Sequence, residues 1–184
     1  MRLSNLNMGK TIGVLGGGQL GKMLFEAGSP TNTSFTFLEK SKDCPARLVC
    51  QNQLVGSLQN AEDIQLLATK ADVLTYEIEH VNVAALAQIE KDGTPVFPKP
   101  SVLSIIQDKG LQKEYYANNG VATLDFDLTT IENLTDKVAA WPQDRFVLKH
   151  RKGGYDGKGV QLLNKEKFAA LLAAKDESLK SKHG

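Results

Sequence analysis

A chain of 184 residues, 41% hydrophobic and 23% charged, has the make-up of an ordinary globular protein, with length for one or two packed domains. A formal net charge of +1, with acids and bases spread along the chain, offers no basic stripe to a phosphate backbone and argues against nucleic acid as a partner. No apolar run nears the roughly 18 residues of a membrane span, and the polar residues 1–10 lack the apolar centre of a signal peptide, so a cytoplasmic protein with no membrane partner is expected. Cys44 and Cys50 are the only cysteines and are expected to be free thiols. His80, His150 and His183 are scattered, without the short ligand spacing that zinc needs.

Strand and helix patterns alternate from Thr11. Residues 11–16, Thr-Ile-Gly-Val-Leu-Gly, predict a buried strand, and residues 18–27 a helix that stops at Gly28-Ser29-Pro30. Residues 34–38 form a second strand pattern, rich in aromatic and β-branched residues and running into Glu39. A helix is predicted over 60–69, with Asp63 as a capping-box acid, then a strand over 72–76 that runs into Glu77. A helix over 82–90 and a short strand over 94–97 follow. This succession implies a parallel sheet with helices on both faces, in which ligands collect beyond the carboxyl ends of the strands. Residues 16–20 and 76–79 both have that address.

Pro98-Lys99-Pro100 marks a domain boundary, dividing the chain into 1–100 and 101–184. Beyond it, Ser101 is expected to cap a helix through Gln107, with residues 108–118 continuing helically to Asn119-Gly120. The rhythm then changes. A strand is predicted over 123–128, a helix over 132–140 with Thr129 and Glu132 as capping box, and a strand over 145–150. A glycine-rich loop over 152–159, a strand over 160–163 and a helix over 165–174 complete the pattern.

Three motifs could carry chemistry. Gly16-Gly17-Gly18-Gln19-Leu20-Gly21 fits G-x-G-x-x-G between a strand and a helix, where freed amides attract an anion. It suits a tight turn without a ligand, a dinucleotide with Glu39 on its ribose, or a substrate phosphate or ribose, the last being favoured. Tyr76-Glu77-Ile78-Glu79 places two acids at a sheet's carboxyl end, where a carboxylate could accept hydrogen bonds from a sugar hydroxyl or an amine; a solvated acidic loop is the plain alternative. In the third, Lys149 closes the apolar strand Phe146-Val147-Leu148. It precedes Gly153, Gly154, Tyr155, Asp156, Gly157, Lys158 and Gly159, a hairpin whose amides could fold over phosphates with Lys149 and Lys158 supplying charge. No G-x-x-x-x-G-K-[ST] opens a helix, so this is not a P-loop, and a plain long hairpin is the alternative.

These motifs, with Thr75 to Val81 and Gln107-Asp108-Lys109, occur in an order and at intervals that resemble the N5-carboxyaminoimidazole ribonucleotide synthetases of the ATP-grasp superfamily. The resemblance runs from Thr11 to about Ala174, and the Gly-Gly-Tyr-Asp-Gly-Lys-Gly loop is its specific element. It implies a Rossmann-like pre-ATP-grasp domain over 1–100 and the first part of an α+β ATP-grasp domain over 101–184. It further implies that Lys109 and Lys149 contact the phosphates of ATP, covered by Gly154, Tyr155, Asp156, Gly157, Lys158 and Gly159. Gln19 and Leu20 would hold the phosphoribosyl substrate, Glu77 would contact it near sugar and aminoimidazole, and Tyr155 and Lys158 would lie where both ligands meet.

The implied reaction is the ATP- and bicarbonate-dependent carboxylation of 5-aminoimidazole ribonucleotide on its 5-amino group, through carboxyphosphate. Catalytic groups and ligands for Mg2+ are expected only in a later region, so the chain as it stands should be inactive alone; a full-length homodimer is expected. The competing expectations are an ATP-grasp ligase like the formate-dependent glycinamide ribonucleotide transformylases and a non-catalytic NAD(P)- or nucleotide-binding module.

Overall fold

Strand β1 (Thr11–Leu15) alternates its side chains between two helical layers, and that alternation organises the first half of the protein. The computed structural model describes residues 9–153, 159–174 and 179 and divides into two units, Met1–Ser104 and Ile105–Gly184. In the first unit β1 lies between β2 (Ser34–Glu39) and β4 (Val73–Tyr76), with β3 (Gln53–Val55) outside β2, giving a parallel sheet ordered β3-β2-β1-β4. Helices α1 (Gln19–Gly28), α2 (Ala61–Ala68) and α3 (Val83–Lys91) make the crossovers.

Leu15, Leu38 and Leu74 face one way, against Ile64, Leu67 and Ala68 of α2 and Ala85, Leu86 and Ile89 of α3. Val14, Phe35 and Phe37 face the other way, against Phe25 of α1 and a helical turn at Pro45–Leu48 that brings Cys44, Ala46 and Cys50 inward. Phe37 is fully enclosed there; cutting it to alanine would cost about 3–5 kcal/mol. Both cysteines are buried and unbonded to each other.

The register decides where the loops emerge. Leu15 pairs with Leu38 on one side and with Tyr76 on the other, so three strands end flush. Gly16, Glu39 and Glu77 therefore stand at one edge of the sheet. Residues 94–97, expected to be a strand, make one bridge, Val96 beside Leu74, held by Leu74 N–H to Pro95 O and Phe97 N–H to Leu74 O. Pro95 and Pro98 have no amide to lengthen that ladder. The three-residue β3 was not expected from the sequence and is carried mainly by its pairing to β2.

Several helix ends differ from expectation. Asn60 caps α2 through the amides of Glu62 and Asp63, but Asp63 turns its carboxylate to the Ser57 amide instead of closing a capping box. Helix α4 (Pro100–Gln107) begins on the proline, whose fixed φ suits the first helical position, so Ser101 lies inside it and caps nothing. Residues 108–118 do not continue that helix. Asp108 adopts an extended backbone and caps a separate helix, α5 (Lys109–Asn118).

In the second unit α6 (Leu134–Ala140) starts two residues later than expected, and Thr129 donates to the Thr130 carbonyl rather than forming a box with Glu132. Strands β5 (Arg145–Lys149) and β6 (Val160–Asn164) pair antiparallel, Arg145 with Asn164 and Lys149 with Val160, before α7 (Lys165–Ala173). Phe146, Leu148 and Leu163 pack with Leu134, Val138 and Phe168 on one face. Val147, Val160 and Leu162 lie on the other and are exposed. The strand expected over 123–128 is absent. Its period-2 pattern finds no partner strand among the described residues, Leu124 is 84% exposed, and the segment is tethered by Lys113, which reaches the Thr123 hydroxyl and lies over the Phe126 ring.

Candidate functional site

The flush strand ends build the first candidate region. Gly16 has φ +102°, and its amide donates to the Leu38 carbonyl at 3.0 Å, which swings the chain across the sheet edge. The next two amides then meet the acids from the neighbouring strands. Gly17 N–H donates to Glu39 Oε2 at 3.0 Å and Gly18 N–H to Glu77 Oε1 at 2.7 Å. A Cβ on Gly16 would come within 2.6 Å of Glu77 Cγ, and one on Gly18 within 2.7 Å of Glu77 Oε1. The glycines are thus required by the close seat of the Glu77 side chain.

This arrangement changes what the loop can bind. Two of the amides expected to attract a ligand anion already hold carboxylates of the chain itself. A pyrophosphate on those amides would face two negative groups at hydrogen-bonding range, so the dinucleotide alternative loses its anchor. The amides at the start of α1 have no intrahelical acceptor, and Gly18 caps them with no side chain. Gln19 and Leu20 stand at that start, both exposed, Leu20 by 57%. Glu77 is half-buried, and only its Oε1 is engaged by Gly18. The strand does not continue to Glu79: β4 ends at Tyr76, the backbone bends, and Glu79 Oε1 lies 3.7 Å from His80 Nε2. Beside them the Tyr76 hydroxyl is buried without a hydrogen-bond partner among the described residues, and burial raises its pKa.

The second candidate region belongs to the other unit. Lys149 ends β5 on the hairpin face that carries Val147 and Val160, and it is exposed with no ion pair among the described residues. The ladder continues one step past it, His150 N–H to Gly159 O at 2.8 Å. Gly159 has φ +70°, and a Cβ there would come within 2.9 Å of His150 Nδ1. Lys109 comes to the same place by a different route, because its amide donates to the Arg151 carbonyl at 2.9 Å. The structure thus brings the main chain of Lys109 to the strand end from which Lys149 projects. Gly154, Tyr155, Asp156, Gly157 and Lys158 lie outside the described residues.

Asp108 entered the sequence reading only within Gln107-Asp108-Lys109, with no role of its own, and Arg151 was not singled out. Asp108 is only 4% exposed; its Oδ1 accepts from the amides of Gly110 (2.9 Å) and Leu111 (3.2 Å) and from Arg151 Nε (2.5 Å). Burial on its own would raise the carboxyl pKa, but the Arg151 hydrogen bond and charge and the two amides outweigh it and hold the group below its ordinary value. Asp108 holds the Arg151 guanidinium more firmly protonated in return. Asp108 before Lys109 had the form of a helix N-cap, which was the one signal available. A shallow groove of about 650 Å³ along β6 and α7, lined in part by Leu162, Lys167 and Leu171, contains none of the residues selected from the sequence.

Comparison with known proteins agrees with this architecture. The ribonucleotide synthetase preATP-grasp domain family matches residues 8–107. A phosphoribosylaminoimidazole carboxylase of Ogataea methanolica is 38% identical over 154 residues, covering 82% of this chain and 28% of the relative. An N5-carboxyaminoimidazole ribonucleotide synthase of Brucella melitensis is 35% identical over 174 residues, covering 94% and 48%. Among solved structures, N5-carboxyaminoimidazole synthase of Aspergillus clavatus in complex with ADP and 5-aminoimidazole ribonucleotide superimposes with a TM-score of 0.78 at 27% identity, covering 94% of this chain and 44% of that one. The chain spans less than half the length of these relatives. With its flush-ended parallel sheet, glycine turn and acid-lined edge, the chain belongs to the ribonucleotide synthetase preATP-grasp family.

Proposed function

We propose that this chain is the substrate-binding and nucleotide-binding front part of an ATP-dependent carbon–nitrogen ligase that carboxylates 5-aminoimidazole ribonucleotide to its N5-carboxyamino form. In this reading residues 1–100 are the pre-ATP-grasp domain and residues 101–184 the opening of the ATP-grasp domain. Gln19 and Leu20 offer helix-start amides to the substrate phosphate, and Glu77 turns its remaining carboxylate oxygen to the sugar or the 5-amino group. Lys109 and Lys149 meet the phosphates of ATP, with Gly154, Tyr155, Asp156, Gly157, Lys158 and Gly159 between strands β5 and β6 as the cover. Tyr155 and Lys158 reach both ligands.

The observation that carries this reading is the 2.9 Å hydrogen bond from Lys109 to Arg151, which joins a cationic helix start to the root of a glycine-rich hairpin whose own lysine is unpaired among the described residues. Positive groups converging on a side-chain-poor loop suit a transferring phosphoryl, whose charge is spread over three oxygens. Bicarbonate oxygen would attack the γ-phosphorus, ADP would leave, and the amine nitrogen would then attack the carboxyl carbon, directly or as released carbon dioxide, with loss of phosphate. Carboxyphosphate hydrolyses readily, so such a site must exclude water.

Mg2+ is the usual companion of ATP. Among the described residues, however, no group of three or more His, Cys, Asp or Glu side chains could hold a metal. The ligands for Mg2+ are placed in the later region of the full-length polypeptide, and no step is assigned to the metal here. Among the described residues no helix is long and apolar enough to cross a membrane. A cytoplasmic location belongs to this proposal as a separate expectation. The homodimer expected from the resemblance belongs to the same proposal.

The test is phosphate release by the full-length polypeptide that carries these residues, with ATP and bicarbonate, as 5-aminoimidazole ribonucleotide is titrated. Saturable stimulation is expected. A rate indifferent to the imidazole nucleotide would overturn the substrate assignment.

A further inference from the structure

Asp108 stands where two structures are joined. It caps α5 through the amides of Gly110 and Leu111, and it binds Arg151, the second residue after Lys149. Arg151 replies through its main chain, its carbonyl accepting from the Lys109 amide at 2.9 Å. The approach is close enough that a Cβ on Gly110 would come within 2.7 Å of Arg151 Nε. Lys152 Nζ, at 3.9 Å from Asp108 Oδ2, is a looser third member. Asp108 is buried while the Arg151 side chain is 53% exposed, so the carboxylate is fixed by the fold and the arginine is held by it. A buried acid with this many donors is committed to a geometry, because leaving it unpaired would be costly. Lys109 lies between Asp108 and the capped Gly110 amide, and its own amide is held by the Arg151 carbonyl, so its backbone is fixed from two sides.

We propose that Asp108 and Arg151 are positioning residues for nucleotide binding: the pair locks the first turn of α5 to the end of β5 and so sets where Lys109 meets the phosphates relative to Lys149. This rests on the nucleotide reading of Lys109 and Lys149 given above. Neither member needs to touch the nucleotide, and the effect of each should depend on the other.

The experiment uses the full-length polypeptide and four forms: unaltered, Asp108→Ser, Arg151→Gln and the double variant. Serine keeps a capping oxygen for the α5 amides but is too short to reach the arginine. In Arg151→Gln the buried Asp108 keeps its two backbone donors, Gly110 and Leu111, so the fold should stay intact. ADP affinity by calorimetry and the KM for ATP are expected to weaken about tenfold in each single variant, since a displaced charge near phosphate loses much of its effect. The KM for the imidazole substrate should stay unchanged, a split that general destabilisation would not produce. The double variant should be no worse than either single one, and Arg151→Lys should recover part of the loss. Additive losses would overturn the pairing and make Arg151 a direct ligand. Single variants that bind ADP like the unaltered protein would overturn the inference while sparing the nucleotide site. An unaltered protein that binds no adenine nucleotide would overturn both.

Discussion

The two glycine-rich segments look alike as sequence, yet the described residues that flank them are opposite in charge. The first, at Gly16 to Gly21, is closed over carboxylates: Glu39 and Glu77 hold the amides of Gly17 and Gly18. The second, rooted between Lys149 and Gly159, is framed by cations, with Lys109 drawn in by Arg151 and an acid, Asp108, kept beneath them. Glycine in one region makes room for a side chain of the protein itself. In the other, Gly159 closes the ladder against His150, one step past the exposed Lys149. A glycine motif therefore reports close approach, and the neighbours decide of what.

The contrast can be broken or sharpened by substitution. Gly16→Ala should have the largest effect on stability, a loss of about 2–4 kcal/mol, because it meets both a positive φ and the Glu77 side chain; urea melts would show it. A loss below about 1 kcal/mol would mean that Glu77 moves aside freely. Asp108→Ala should follow, at about 2–3 kcal/mol from a lost cap and an abandoned arginine.

That second loss should depend on pH. The folded carboxyl titrates below its unfolded value, so its contribution is complete above about pH 4 and fades as the pH falls through the lower folded value. Thermal melts of Asp108→Ala and the unaltered protein should accordingly converge in acid and diverge towards neutrality. Glu39→Gln should cost about 1 kcal/mol, the difference between a charged and a neutral acceptor for Gly17 N–H, with faster hydrogen exchange at that amide. Lys149→Met should change stability by less than about 0.5 kcal/mol yet weaken ADP binding, since the side chain is exposed and unpaired among the described residues. Equal binding would remove the second region's distinction.

Much of the architecture was legible because its signals are local. The apolar run of β1, the helix starts at Asn60 and Asn82, and the apolar strand Phe146-Val147-Leu148 each depend on residues close in sequence. The failures share a cause. A strand over 123–128 needed a partner that no local pattern supplies, and β3 exists because β2 has a free edge for it. Ser101 looked like a cap because position alone cannot show that the helix starts one residue earlier, on Pro100. At the site, Glu77 and the glycines were visible separately, but their contact depends on the pairing of Leu15 with Tyr76 across two crossovers. Arg151 was hidden for the same reason. Its partner is 43 residues away, and only the fold makes them neighbours.

Both thiols lie in one layer of the first unit, the layer under α1, and none lies among the residues packed by α2 and α3. Cys44 Sγ sits 2.8 Å from where a Cβ of Gly17 would be, so it is packed against the acid-lined turn itself. The protein thus carries a native clock for that layer. The rate at which a thiol reagent consumes Cys44 measures how often the turn lifts from the sheet edge, and a molecule that settles on the turn should slow the clock without any label being introduced.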